Sequence, residues 1–254
     1  MLIVLGIIAV VILAAAIYIV SVATKNTKAM NQCIEAALME LKENYTITPC
    51  DTGDYKEMKI MGPAKFHVEQ YHIEELGNLS VMRVNMGVMQ MATVVITPKE
   101  KNMPLLSADY MYILSNRKCY LEFYDVVKEK DDQYNQLLAA LSQSKDKYNY
   151  LEDIEVSSAW YKHLLTVTTY KAGTSKTDKD LQDMLVDSMN VYLTHSKNIP
   201  LLTPEEIEEK RAITLEYTDG LIEKGGISTD VFKNALGSEE TKKFFDTVFF
   251  GTKK

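Results

Sequence analysis

Among the residues able to do chemistry, Asp109 stands out by its setting. It falls in Met103-Pro104-Leu105-Leu106-Ser107-Ala108-Asp109-Tyr110-Met111-Tyr112-Ile113, one residue into a β-prone run expected at 108–114. A carboxylate there has two readings. It is either a strand-end residue kept in water or a buried acid whose pKa desolvation raises until it can donate a proton. Asp125, in Phe123-Tyr124-Asp125-Val126, reads as a strand-end residue meeting the backbone N–H groups of the next turn. His67 and His72 lie five apart on one expected strand, so they point to opposite faces and do not form a shared metal site. The dinucleotide-binding, phosphate-cradling, zinc-protease and serine-hydrolase signatures are all missing. Gly225-Gly226 follows a helical pattern and reads as a helix stop. The three cysteines, Cys33, Cys50 and Cys119, are isolated and lack Cys-x-x-Cys spacing, which fits neither a disulfide scaffold nor a zinc site.

The elements that must position these residues follow from the apolar periodicity. Met30, Cys33, Ile34, Ala37, Leu38 and Leu41 form the stripe of an amphipathic helix, broken at Thr48-Pro49 and Gly53. Short β-branched and aromatic runs at 55–61, 66–74, 79–84, 89–97, 108–114 and 119–127 are separated by Gly62-Pro63, Gly77-Asn78, Met86-Gly87, a loop at 98–104 and Ser115-Asn116. Connections this short imply antiparallel hairpins, because parallel pairs need crossovers of a dozen or more residues. A helix at 131–144, a strand at 164–170 and a helix at 178–195 come next. Thr203-Pro204-Glu205-Glu206 is a capped helix start, with Thr at N-cap, Pro at N1 and Glu closing a capping box. That helix is expected to run to about 224. Two shorter ones follow, from 229 to Gly237 and from Ser238 to the Phe-rich end. Strands first and helices on either side of them imply an α+β fold: a three-layer α/β/α sandwich around a mainly antiparallel sheet.

Ahead of this domain, residues 2–23 contain no charge. About 20 apolar residues cross a bilayer as a helix, and the run exceeds a signal-peptide core and lacks a basic stretch before it. The expectation is a transmembrane anchor at 1–24 and a single domain at 25–254. The amphipathic helix continues from the span directly or after a short link. Lys25 and Lys28, just past the span, place the domain in the cytoplasm by the positive-inside rule. A net charge of −7 argues against nucleic acid as partner and against polybasic attachment to anionic lipid.

The segment Met103–Asp109, followed by Phe123-Tyr124-Asp125-Val126, resembles the proline-then-aspartate region of the ferredoxin-dependent bilin reductases, the group that includes red chlorophyll catabolite reductase. Trp160 falls where that family often has an aromatic residue. The tail Val231-Phe232-Lys233-Asn234-Ala235-Leu236-Gly237-Ser238-Glu239-Glu240 through Phe244-Phe245-Asp246-Thr247-Val248-Phe249-Phe250 is similar to its closing helices. The resemblance spans roughly 65–251. It implies an open-chain tetrapyrrole held between the sheet and the C-terminal helices, and no bound metal or flavin. Single electrons come from ferredoxin, and an active-site acid protonates the substrate. Asp109 matches the family's central proton-donating aspartate.

The departures are specific. A histidine of several members is Ala92 or Thr93 here, a glutamate one strand earlier is replaced near Arg83 and Val84, and an Asn/Asp pair is Gly225-Gly226. The resemblance assigns Thr93, Arg83 and Tyr124 to the substrate surface. Lys99, Lys101, Arg117 and Lys118 lie on loops flanking the Asp109 strand, where they form either a basic patch for an acidic electron carrier or separate solvated loop charges. The functional expectation is reduction of a linear tetrapyrrole double bond. The alternatives are a non-catalytic tetrapyrrole-binding or sensing domain, and a membrane-anchored structural domain whose pocket is filled by side chains, the methionines among them.

Overall fold

A computed structural model describes residues 2–62 and 64–253; Pro63, half of the expected Gly62-Pro63 turn, lies outside them. The first helix, α1 (Leu2–Asn44), is continuous. No link interrupts it at the expected boundary between 24 and 25. The apolar run and the amphipathic stripe share one helical rod because neither contains a proline or a glycine after Gly6. Its first part is exposed. From Ala23 onward one stripe is covered, with Met30, Cys33, Ile34, Ala37, Leu38 and Leu41 buried in the core.

The sheet is formed by β1 (Ile47–Cys50), β2 (Glu57–Met61), β3 (Ala64–Ile73), β4 (Gly77–Asn85), β5 (Met89–Pro98), β6 (Leu105–Ile113), β7 (Asn116–Tyr124), β8 (Glu152–Asp153) and β9 (Leu165–Thr174). Their order is β1-β3-β4-β5-β6-β7-β9-β8, with β2 beside β1 on the edge of β3. Every pairing is antiparallel. β1 was not expected, since Thr48-Pro49 reads as a breaker. Its proline sits on a strand edge, where the missing N–H costs no ladder bond. β6 begins three residues earlier than expected: Leu105, Leu106 and Ser107 pair with Tyr124, Phe123 and Glu122 immediately after Pro104. Asp109 is therefore the middle residue of a nine-residue strand, not one near its start.

Helices cover both faces. The second half of α1, α2 (Asp132–Asp146) and α3 (Asp178–Ser196) pack against Ile73, Leu79, Val81, Val94, Leu106, Tyr110 and Phe123 on one face. The other face, with Phe66, Val68, Met82, Val84, Val95, Leu105 and Tyr124, is covered by α4 (Pro204–Lys224), α5 (Ile227–Leu236), α6 (Ser238–Phe244) and the π-helical turn Phe245–Phe249. The Thr203–Glu206 capping box is formed in both directions, at 3.3 and 2.8 Å. α4 stops at Gly225, whose φ of 81° is a conformation glycine adopts without strain. The π turn leaves carbonyls free, and side chains of β4 take them: Ser80 Oγ donates to the Phe249 carbonyl at 2.6 Å and Asn78 Nδ2 to that of Val248 at 3.2 Å.

Because α1 supplies a layer of the domain's core, its second half is part of the fold and not a tether. Ile34→Ala, which empties a fully buried position on α1, is expected to cost about 2–5 kcal/mol in denaturant unfolding. A loss below about 0.5 kcal/mol, the scale of ordinary surface substitutions, would show that α1 only leans on the sheet.

Candidate functional site

Strand pleat decides which side chains share a surface. Cross-strand partners run Thr93–Asp109–Tyr120–Tyr170 from β5 to β9, and one step along Val95–Ser107–Glu122–Thr168. All eight point toward the α4–α6 layer. Asp109 is centred among them. Thr93 Oγ1 donates to Asp109 Oδ1 at 2.5 Å, and Ser107 Oγ to Oδ2 at 3.4 Å. Toward the α4 end the surface closes over, with Val95, Leu105 and Tyr124 buried. Toward the hairpin tips it opens: Met91, Asp109, Met111, Tyr120 and Tyr170 are all partly exposed. Met91 and Met111 are paired and lie next to Asp109 on the open side.

Burial pushes the Asp109 carboxyl up to about 6, and the nearby Glu122 carboxylate pushes the same way. Hydrogen bonds from Thr93 and Ser107 favour the ionised form and hold back part of that rise. The resulting acid is half-protonated at about pH 6 and keeps roughly a tenth of its molecules protonated at pH 7, a range in which a carboxyl can give up a proton and regain it.

Glu122 was not singled out from the sequence. Tyr124 and Tyr170 both donate their hydroxyls to it, the latter at 2.7 Å. Beyond it stands an aromatic wall. Tyr124 is 4.9 Å from Tyr217 and 5.9 Å from Tyr161 between ring centroids, and Trp160 is 5.4 Å from Tyr161. Trp160 Nε1 donates to the Gly225 carbonyl at 2.9 Å. Its ring fits against α4 at Gly220, where a Cβ would lie 2.3 Å from the indole. Lys210, buried nearly two turns into α4, donates to the carbonyls of Met103 (2.8 Å) and Val126 (3.2 Å), fastening α4 across the ends of β6 and β7. Burial holds its ammonium down to about 7. The alternation Lys118, Tyr120, Glu122, Tyr124 against Arg117, Cys119, Leu121, Phe123 is the signal that could have found Glu122.

Of the residues expected at the site, Asp109 and Thr93 are brought into direct contact. Tyr124 shares their face but is buried in the wall, and it reaches the site through Glu122. Arg83 does not join them. It pairs with Ala92 rather than Thr93, so the pleat turns it to the α1 face. There it bonds Glu69 at 2.5 Å and Glu35 at 2.8 Å beside a groove of about 680 Å³ lined also by Thr27, Asn31 and Asn85. The four-residue basic patch also does not form. Lys99 and Lys101 lie at the opposite end of the sheet from Arg117 and Lys118. Lys101 is buried against the Ser196 carbonyl at 2.8 Å, and Arg117 on the α1 face pairs with Asp178 at 2.7 Å. Asp125 meets Tyr134 Oη at 3.2 Å and the Lys130 ammonium instead of backbone N–H groups.

The site is an acid on the open half of a twisted antiparallel sheet, backed by tyrosines and closed at one end by C-terminal helices. That three-layer fold is shared with a solved bilin enzyme. Phytochromobilin synthase from tomato, crystallised in complex with biliverdin, superposes with a TM-score of 0.70 over 87% of this chain and 83% of that chain, at 14% identity. No protein-family model matches the sequence, and no curated protein matches it. The resemblance to the bilin reductases drawn from the sequence therefore holds at the level of the fold.

The pKa of Asp109 carries a pH signature. The folded carboxyl titrates at about 6 and an unfolded one near 3.9, so its contribution to stability is fully present below about pH 4. That contribution is lost as pH rises through about 6. Asp109→Asn does not titrate. The Tm of the variant should gain on that of the wild type as pH rises from about 4 to about 7. A Tm difference independent of pH would contradict the shift.

Proposed function

We propose that the protein is a membrane-tethered reductase of a linear tetrapyrrole, with Asp109 as proton donor. The observation that carries this reading is a carboxyl with a pKa of about 6 on the open half of this face, in a fold whose solved relative was crystallised with biliverdin. Reducing one double bond takes two electrons and two protons. The electrons would come singly from a small carrier of the ferredoxin class. Asp109 would deliver a proton to the substrate as each added electron raises its basicity, then recover one from solvent on the exposed side.

The other side chains would act on binding and on this proton. Thr93 orients the Asp109 carboxyl through its Oδ1. Glu122, held by two tyrosine hydroxyls, keeps the pKa of Asp109 high by its charge. Met91, Met111, Tyr120 and Tyr170 offer the apolar and aromatic surface that a planar conjugated ligand needs. The apolar helix at the N-terminus is long enough to cross a bilayer, and Lys25 and Lys28 after it would leave the domain on the cytoplasmic side.

One observation favours a second reading, a binding or sensing protein without turnover. Glu122 accepts two tyrosine hydroxyls and Arg83 faces away, so Asp109 has neither a second acid free to donate nor a base beside it on this face among the described residues. A titration of the full chain in detergent with biliverdin separates the two. Binding should quench Trp160, the single tryptophan of the chain, and shift the bilin absorbance. With reduced ferredoxin the spectrum should then convert in wild type and stall in Asp109→Asn, which still binds. Binding without conversion in wild type would sink the reductase reading, and no quenching at micromolar protein would sink both.

A further inference from the structure

Three hairpins turn at the same end of the sheet: after Met61, at 86–88 and at 114–115. Each presents one exposed large apolar side chain, Met61 at 38%, Val88 at 46% and Leu114 at 36%. Outside α1, the other exposed residues of this kind among those described are Tyr150, Val156 and Leu201, on separate loops. Apolar side chains gathered on successive tips at one end mark a contact surface.

The same end is fastened to the exit of the apolar helix. Asn26 Nδ2 donates to Gln90 Oε1 at 2.9 Å and to the Leu114 carbonyl at 2.8 Å. Asn85 Nδ2 donates to Thr27 Oγ1 at 3.2 Å. Asn26 follows the last apolar residue, Ala23, by ~4.5 Å along the helix axis. The headgroup layer is roughly 5–7 Å deep on each side of the hydrocarbon, so tips tied to this turn stand at headgroup depth. The direction of the sheet agrees. Thr27 lies beside Asn85, and at the far end of the strands the Glu74 N–H donates to the Thr46 carbonyl at 3.0 Å. The helix from Thr27 to its end at Asn44 is ~26 Å long and β4 spans about the same, so the strands run along the axis of α1.

Charge points the same way. Although the whole chain is acidic, Lys25, Lys28, Lys65, Lys118 and Lys176 are all exposed around this end, and of these Lys65 is paired with Glu57 at 2.5 Å. A ring of lysines around apolar tips is the pattern that meets an anionic lipid surface.

We propose that this end of the sheet is a second membrane contact, with Met61, Val88 and Leu114 seated in the headgroup layer of an anionic bilayer and the lysines around them. The proposal rests on the reading of α1 as a membrane span and adds to it. It fixes the orientation of the site. The open half of the Asp109 face lies on this side of the sheet, ~13 Å along β6 from its tip. An apolar ligand dissolved in the bilayer would enter past Met91 and Met111 without first crossing bulk water.

The test uses the full chain with Cys50→Ser, because Cys33 and Cys119 are buried. Single cysteines replace Val88, Leu114, Tyr18 on the span, or Glu74 at the far end of the sheet, and each carries an environment-sensitive fluorophore. The chain is placed in phosphatidylcholine–phosphatidylglycerol vesicles with a lipid-borne quencher. The Val88→Cys and Leu114→Cys probes should be blue-shifted and quenched several-fold more than Glu74→Cys. If Tyr18→Cys is quenched while both tip probes match Glu74→Cys, the hairpin contact is wrong and the span stands. If Tyr18→Cys is not quenched, the span itself is wrong and the proposal falls with it.

Discussion

Strands β4 to β7 are covered by helices on both faces, so the two-residue pleat sorts each side chain into one of two surroundings. One parity builds the large core shared with α1, α2 and α3. The other lines the surface beneath α4, α5 and α6, and only part of that surface is closed. Asp109 takes the second parity, and so do Thr93, Ser107, Glu122 and Tyr170. A register slip of one residue would exchange the site for Ala92, Ala108 and Leu121. The large core prevents it, because Tyr110, Tyr112 and Phe123 would then have to leave positions where they are almost fully buried.

Within that frame the site is an electrostatic compromise. Desolvation and Glu122 act against the charge on Asp109, while two hydroxyls act for it, and the balance leaves the carboxyl near 6. Glu122 would itself oppose such an arrangement if it moved. Two tyrosine hydroxyls hold it, and the aromatic wall around Tyr217 and Trp160 holds one of those tyrosines. The wall depends in turn on Gly220 and on Lys210, which fix where α4 lies. Asp109 is thus set directly by Thr93 and Ser107 and, through Glu122, by tyrosines on two further strands and the aromatic wall that α4 supports.

Much of this was legible in the sequence. Alternation and short turns give the antiparallel sheet, Thr203–Glu206 gives the start of α4, and the apolar setting of Asp109 marks it as an unusual acid. Where the reading missed, the cause is local. Pro104 masks the start of β6, because proline opens a strand as readily as it ends one. The family resemblance locates the replaced glutamate only to Arg83 or Val84, and only the register says that Met82, not Arg83, stands beside Thr93. Lys101 and Arg117 look like loop charges, yet each is drawn inward by a partner far along the chain, a carbonyl of α3 and the first residue of that helix. Long-range partners of this kind leave no periodic signal.

We place the tetrapyrrole on this face, with Asp109 at its centre. The groove between α1 and the sheet beside Arg83 is the competing location on the same molecule. A structure of the full chain determined with biliverdin decides between them. The bilin is expected between Met91–Met111 and Tyr120–Tyr170, with a pyrrole nitrogen or lactam oxygen within hydrogen-bond distance of the Asp109 carboxyl. A bilin lodged beside Arg83 and Glu35, with the Asp109 face left to solvent, would contradict it.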